Sequence, residues 1–124
     1  MAVTTTPLSN PLATKLIKDT DSDATAELDV ASGALRVYAI EIDNTGNSAI
    51  TYTKLYNTAT VTVGTTVPDF VLATPATTKL THVLGAPATG YNFATALSLA
   101  SVTAGGTGGI VSPTSDVTVS IMAS

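Results

Sequence analysis

Residues 35–43 of this chain read Leu-Arg-Val-Tyr-Ala-Ile-Glu-Ile-Asp, and this stretch decides the fold. Its β-branched and aromatic side chains are typical of a strand, in which successive residues point to opposite faces. One face would carry Arg36, Tyr38, Ile40 and Ile42, and the other Leu35, Val37 and Ala39. Because both faces are apolar in the middle, the stretch predicts a central strand with cover on each side of its sheet.

A turn sequence follows this strand directly. Residues 43–47, Asp-Asn-Thr-Gly-Asn, are rich in types that tolerate a positive φ angle. The β pattern then resumes over residues 49–57, with Ile50, Tyr52 and Tyr56 on one face. We therefore expect residues 35–57 to form a β-hairpin.

Short runs of Val, Ile, Thr and Tyr, separated by Gly, Pro, Asn and Asp, continue along the rest of the chain, and no sustained helical pattern interrupts them. Further strands are predicted at residues 14–18, 24–30, 58–63, 69–73, 78–84, 93–103 and 116–122. The last of these should point Val117, Val119 and Ile121 inward. About eight strands at this spacing predict an all-β fold, a β-sandwich, and favour a jelly-roll arrangement over an immunoglobulin-like one.

The length of 124 residues allows one domain. Residues 1–12 are predicted to be an extended N-terminal arm, because Pro7 and Pro11 cannot donate hydrogen bonds and alternation begins only at Ala13. Residues 13–124 then form the β-sandwich domain. The arm has no secretory-signal pattern, and the longest apolar run, residues 93–102, is about half of a membrane-spanning helix.

Charge is scarce on this chain. Five basic and nine acidic residues make up 11% of the sequence, the net charge is −4 and the mean hydropathy is +0.37. A protein of this mass exposes roughly 6,000 Å², which leaves about one charge per 400 Å². This composition excludes a disordered chain and disfavours a nucleic-acid binder. It indicates a surface that is covered by neighbours.

One acidic segment, residues 19–29, reads DTDSDATAELD and could bind a metal ion. Asp19, Asp21 and Asp23 offer oxygen ligands at alternate positions, as calcium prefers. The segment departs from an EF-hand at Ala24, where a glycine is needed, and at Val30, where a glutamate is needed. Two interpretations stay open: a calcium loop of another kind, and a solvated acidic turn.

The remaining residue types that could support catalysis or phosphate binding lack the partners that these functions need. His82 is the only histidine, and its neighbour Thr81 should point to the opposite face of a strand, so no catalytic triad is predicted. The glycine-rich residues 104–109 lack the Lys and Ser/Thr of a phosphate-binding loop and read as a flexible loop. There is no cysteine. We therefore predict that the chain is not an enzyme and takes no cofactor or small-molecule substrate.

Four tyrosines leave a carbohydrate-binding module as an alternative. Tyr38, Tyr52, Tyr56 and Tyr91 could form a platform on which sugar rings stack. Packing in a core or between subunits is the competing explanation, and the chain has no tryptophan, which such platforms favour.

Taken together, residues 37–45 (VYAIEIDNT), 52–57 (YTKLYN), 61–69 (VTVGTTVPD) and 92–100 (NFATALSLA) resemble small Thr/Ala/Gly-rich virion proteins of tailed bacteriophages. The resemblance covers roughly residues 35–120 and rests on strand-and-turn signatures. It implies a β-sandwich or jelly-roll protein of the capsid-decoration or cement type, with no catalytic residues. A tail, neck or fibre component is the alternative within the same class.

The resemblance also implies partners and a location. A cement protein binds the major capsid protein between capsomers and associates with copies of itself, as dimers or trimers. We expect no nucleic-acid or membrane partner. The location would be the capsid surface of a virion assembled in the host cytoplasm. An arm containing prolines would then order along the shell or along a neighbouring subunit.

Overall fold

The computed structural model describes residues 3–7, 13–85 and 89–124, and these residues form nine strands and no helix. The strands in chain order are β1 (Val3–Pro7), β2 (Lys15–Ser22), β3 (Leu35–Asp43), β4 (Thr51–Tyr56), β5 (Phe70–Thr74), β6 (Lys79–Val83), β7 (Tyr91–Phe93), β8 (Ser98–Val102) and β9 (Val117–Ala123).

The strands form two antiparallel sheets. The larger sheet has the order β1-β2-β9-β3-β6, and β7 pairs with the first residues of β3 beside β6. The smaller sheet has the order β5-β4-β8. The predicted all-β sandwich is therefore confirmed, and the jelly-roll connectivity stays a prediction.

The core lies between the two sheets, where the inward side chains of both are withdrawn from water. Ile17, Ile40 and Ile121 of the larger sheet and Leu55 and Leu99 of the smaller one are fully buried. Each such side chain contributes about 1.5–3 kcal/mol of transfer free energy. On β9 the burial alternates along the whole strand, which confirms the predicted inward set of Val117, Val119 and Ile121.

Strand β3 has the bounds and the central position that the sequence predicts, but it is not covered on both sides. Its pairing with β9 shifts register between Val37 and Ala39. This β-bulge turns Leu35 and Val37 to the same inner face as Ile40 and Ile42. Apolar residues therefore fall on both faces of the sequence pattern because the bulge interrupts the alternation. Ala39 lies on the outer face, where it is half-buried.

The predicted hairpin over residues 35–57 is wrong, because β3 and β4 belong to different sheets. The turn sequence forms the crossing between the sheets instead. There the buried Asn44 side chain donates to the carbonyl oxygens of Ala49, Thr74 and Pro75 at 3.0–3.1 Å. The predicted turn sequence thus connects the two sheets at a corner of the sandwich.

Three other predicted strands need correction. Residues 58–63 form no strand, because the carbonyl of Thr62 accepts bonds from the amides of Thr65 and Thr66 and closes a turn. Residues 24–30 also form no strand and make a single bridge, between Glu27 and Leu99. Residues 93–103 are split, since Phe93 ends β7 in the larger sheet and Ser98 begins β8 in the smaller one.

Part of the predicted arm lies within the described residues. Residues 3–7 form β1, which pairs antiparallel with β2 at an edge of the larger sheet. Four of its five residues are exposed, and Val3 packs against the core. Residues 1–2 and 8–12 of the arm lie outside the described residues.

Candidate functional site

Two of the three predicted calcium ligands meet at one corner of the sandwich. Asp19 and Asp21 on β2 lie beside Glu27, and these three carboxylates each offer an oxygen atom within 4.8 Å of the others. Asp23 does not belong to this group. Its Oδ1 accepts a hydrogen bond from the backbone amide of Thr25 at 2.8 Å.

The path of the chain after β2 explains this grouping. The pairing of β2 with β9 shifts register between Asp19 and Ser22, so strict alternation stops before Asp23 is reached. The chain then crosses to the smaller sheet and runs along the free side of β8. Two backbone hydrogen bonds, 2.8 and 3.0 Å long, join Glu27 to Leu99 there. Glu27 thereby takes the place beside Asp19 and Asp21 that the sequence pattern gave to Asp23.

The acidic cluster, Asp19, Asp21 and Glu27, is largely withdrawn from water. Asp19 is 0% exposed and Glu27 is 2% exposed. Oδ2 of Asp19 and Oε2 of Glu27 have no hydrogen-bond partner among the described residues. Burial, and then hydrogen bonding and repulsion from the neighbouring carboxylates, raise the pKa of Asp19 to about 7. The pKa of Glu27 is raised as well, first by burial and then by Asp21.

A second feature is the outer face of the larger sheet, which no described segment of the chain covers. The pairing registers place five side chains in one line across it, defined here as the outer row: Thr6, Leu16, Met122, Ala39 and Val83. A parallel line of polar residues includes Lys18, Ser120 and Glu41. A shallow groove of about 370 Å³ runs between the two lines.

The outer face of the smaller sheet is covered by the chain itself. The buried Lys54 points away from the core, and its Nζ donates to the carbonyl oxygens of Gly106 and Gly109 at 2.7 and 3.0 Å. On the same face, Ser98 Oγ donates to the carbonyl oxygen of Thr58 at 2.6 Å. The glycine-rich residues 104–109 are a loop, as predicted. This loop presents oxygen atoms to an ammonium group, which is the opposite of a phosphate cradle.

His82 forms no catalytic arrangement. It lies on the inner face of β6 opposite Ile40, whereas Thr81 lies opposite Glu41 on the outer face. Its Nε2 is buried without a hydrogen-bond partner among the described residues, and burial lowers the pKa of the ring. No hydrogen bond joins this ring to a carboxylate of the described residues, and a general base needs such an orienting group.

The tyrosines are dispersed. Tyr56 is fully buried, and Tyr91 packs edge-on against Phe70 and Phe93 with ring centroids 4.7 and 5.0 Å away. Tyr38 shares a hydrogen bond with Ser124 Oγ, and Tyr52 packs so closely on Gly105 that a Cβ there would lie 2.9 Å from its ring. This arrangement offers no common platform for a sugar ring.

No family model, curated protein or solved structure matches the chain. None of the described residues belongs to a helix that could span a bilayer. The site features above are therefore interpreted from their own chemistry.

Proposed function

We propose that this chain is a structural protein of a bacteriophage virion, of the decoration or cement type, which binds between capsomers and to copies of itself. The outer face of the larger sheet carries the proposal. One sheet of the sandwich is covered by loops of the same chain, whereas the other presents an apolar row and an open groove. An uncovered apolar row of this kind is typical of a surface that meets another protein.

The charge density of the whole chain supports the same function. Fourteen charged residues share an accessible surface of 5711 Å², or about one per 400 Å². Few of them lie near the outer row, where Lys18 and Glu41 flank the groove. A protein that is covered on one side in its working state needs little charge there.

The size of the face argues for binding in many copies. Five strands spaced about 4.8 Å apart, with about six residues of 3.3 Å each, give a face of roughly 400 Å². That is about half of what one partner buries in a stable complex. A single copy would therefore bind weakly, and repetition over a symmetric shell would supply the avidity. The exposed edges β1 and β6 extend the surface that a neighbour can use.

Direct localisation tests this proposal. We expect mass spectrometry to find the chain in virions purified from the source of the sequence, and immunogold labelling to place it on the heads. Heads from which the tails have been removed should keep it. Retention by the tails would establish the tail, neck or fibre alternative. Absence from purified virions would overturn the proposal.

A further inference from the structure

The buried carboxyl groups of Asp19 and Glu27 receive no positive charge from the side chains of the surrounding strands. Strands β1, β9 and β8, which surround this part of β2, contain no Lys, Arg or His. On β2 itself, Lys18 is exposed and lies on the outer face of the sheet. Lys15 lies four residues from Asp19, or about 13 Å along the strand. The pKa of Glu27 is raised, first by burial and then by Asp21 and Asp23, although the amino terminus acts to lower it.

Two oxygen atoms of the cluster are buried without partners. Oδ1 of Asp19 accepts a hydrogen bond from the amide of Asp21 at 3.2 Å, but Oδ2 accepts none from the described residues, and Oε2 of Glu27 is in the same condition. A buried carboxylate oxygen that lacks a donor costs more than an ordinary hydrogen bond returns. Neighbouring carboxylates add repulsion. Two species can relieve this cost: a proton or a metal ion.

We propose that Asp19, Asp21 and Glu27 bind a calcium ion that ties strand β2 of the larger sheet to the segment beside β8. The ligand atoms are all carboxylate oxygens, which favours a hard cation over zinc or copper. Calcium–oxygen distances of 2.3–2.6 Å allow two ligands of one ion to lie about 5 Å apart. The three oxygen atoms lie within 4.8 Å of one another, so small side-chain rotations can bring them to one ion.

Calcium fits better than magnesium. Its coordination number of 6–8 is flexible, so water molecules can complete an irregular shell around three carboxylates. Magnesium demands nearly ideal octahedral geometry with bonds of about 2.1 Å and gives up its water molecules reluctantly, so it is less suited to carboxylates that come from two different segments.

Calorimetric titration of the full chain with CaCl₂ at neutral pH tests the site. We expect one ion per chain, and the Tm to rise by about 5 °C or more when calcium exceeds its Kd a hundredfold. Asp19→Asn should abolish this binding. In EDTA the same variant should unfold at the same or a higher temperature, because it removes a buried unpaired charge. Glu27→Gln repeats the test should Asp19→Asn fail to fold.

The control is Glu41→Gln, which removes the same charge from the outer face and should bind calcium as the unsubstituted chain does. No binding heat and no change in Tm at about 10 mM calcium would overturn the proposal. So would unchanged binding by Asp19→Asn. A larger Tm shift with magnesium would overturn the assignment to calcium.

Discussion

Two buried asparagines hold the corner at which the chain passes from one sheet to the other. The side-chain amide of Asn44 donates to three carbonyl groups, and its Oδ1 accepts from Asn47 Nδ2 at 2.9 Å. Asn47 in turn exchanges hydrogen bonds of 2.9 and 2.8 Å with the backbone of Ser115. The crossing, the β5–β6 turn and the start of β9 are thereby joined through two side chains.

Replacing the first of these asparagines should destabilise the whole domain. Asn44→Ala removes the donor for three carbonyl groups and the acceptor for Asn47, so we expect a loss of about 2–4 kcal/mol in the free energy of unfolding. Denaturant unfolding measures it. Ser48→Ala, an exposed change in the same crossing, should stay within about 0.5 kcal/mol. A loss below about 1 kcal/mol for Asn44→Ala would contradict the role assigned to this corner.

At the scale of elements, alternation predicted the strands well wherever it ran unbroken. Strand β3 has its predicted bounds, and β9 has its predicted inward face. The prediction failed where a long-range feature intervened. The bulge in β3 depends on its register with β9, and the hairpin failed because the buried Asn44 holds a crossing in place of a tight turn.

The acidic cluster also depends on a long-range contact that the sequence pattern does not predict. The acidic run contains Asp19 and Asp21 at a spacing that suggested a metal site. It contains Glu27 as well, but nothing local says that the chain crosses to β8 before Glu27 is reached. Spacing along a chain predicts neighbours on one strand, whereas this cluster joins a strand to a segment beside the other sheet.

Strand β1 is the element whose removal we expect to be tolerated. Deleting residues 1–10 removes a mostly exposed edge strand and the contact of Val3 with the core. The remaining chain should keep its β-type circular dichroism and cooperative unfolding, with a loss of about 1–2 kcal/mol. Less of this variant should be found per virion, because β1 is an exposed edge that a neighbour can use in the proposed function. Loss of cooperative unfolding would show that β1 belongs to the core instead.

At the scale of the whole molecule, the two outer faces differ in what covers them. Loops including residues 104–109 lie over the smaller sheet and are fastened by Lys54. The larger sheet presents the outer row with Leu16, Met122 and Ala39 half-buried at its centre. If the proposed function is correct, one face of the sandwich is therefore completed by its own chain and the other by a neighbour.

A lysine in the outer row should separate binding from stability. Met122→Lys puts a charge between Leu16 and Ala39, where its long stem can still reach water, so we expect the Tm to change little. The amount of protein per virion, measured by quantitative gel, should fall at least tenfold. The control is Val111→Lys, an exposed position outside the outer row in the segment that pairs with Thr103, and it should bind normally. Equal binding by the two variants would place the interface elsewhere.

The central position of β9 has a consequence for synthesis. This strand lies between β2 and β3, although it is the last of the nine to leave the ribosome. A nascent chain that ends at residue 116 would expose the edges of β2 and β3 to each other without the strand that joins them. The larger sheet can therefore form completely only after β9 has emerged. Until then, β2 and β3 each have an unpaired edge to which a chaperone can bind.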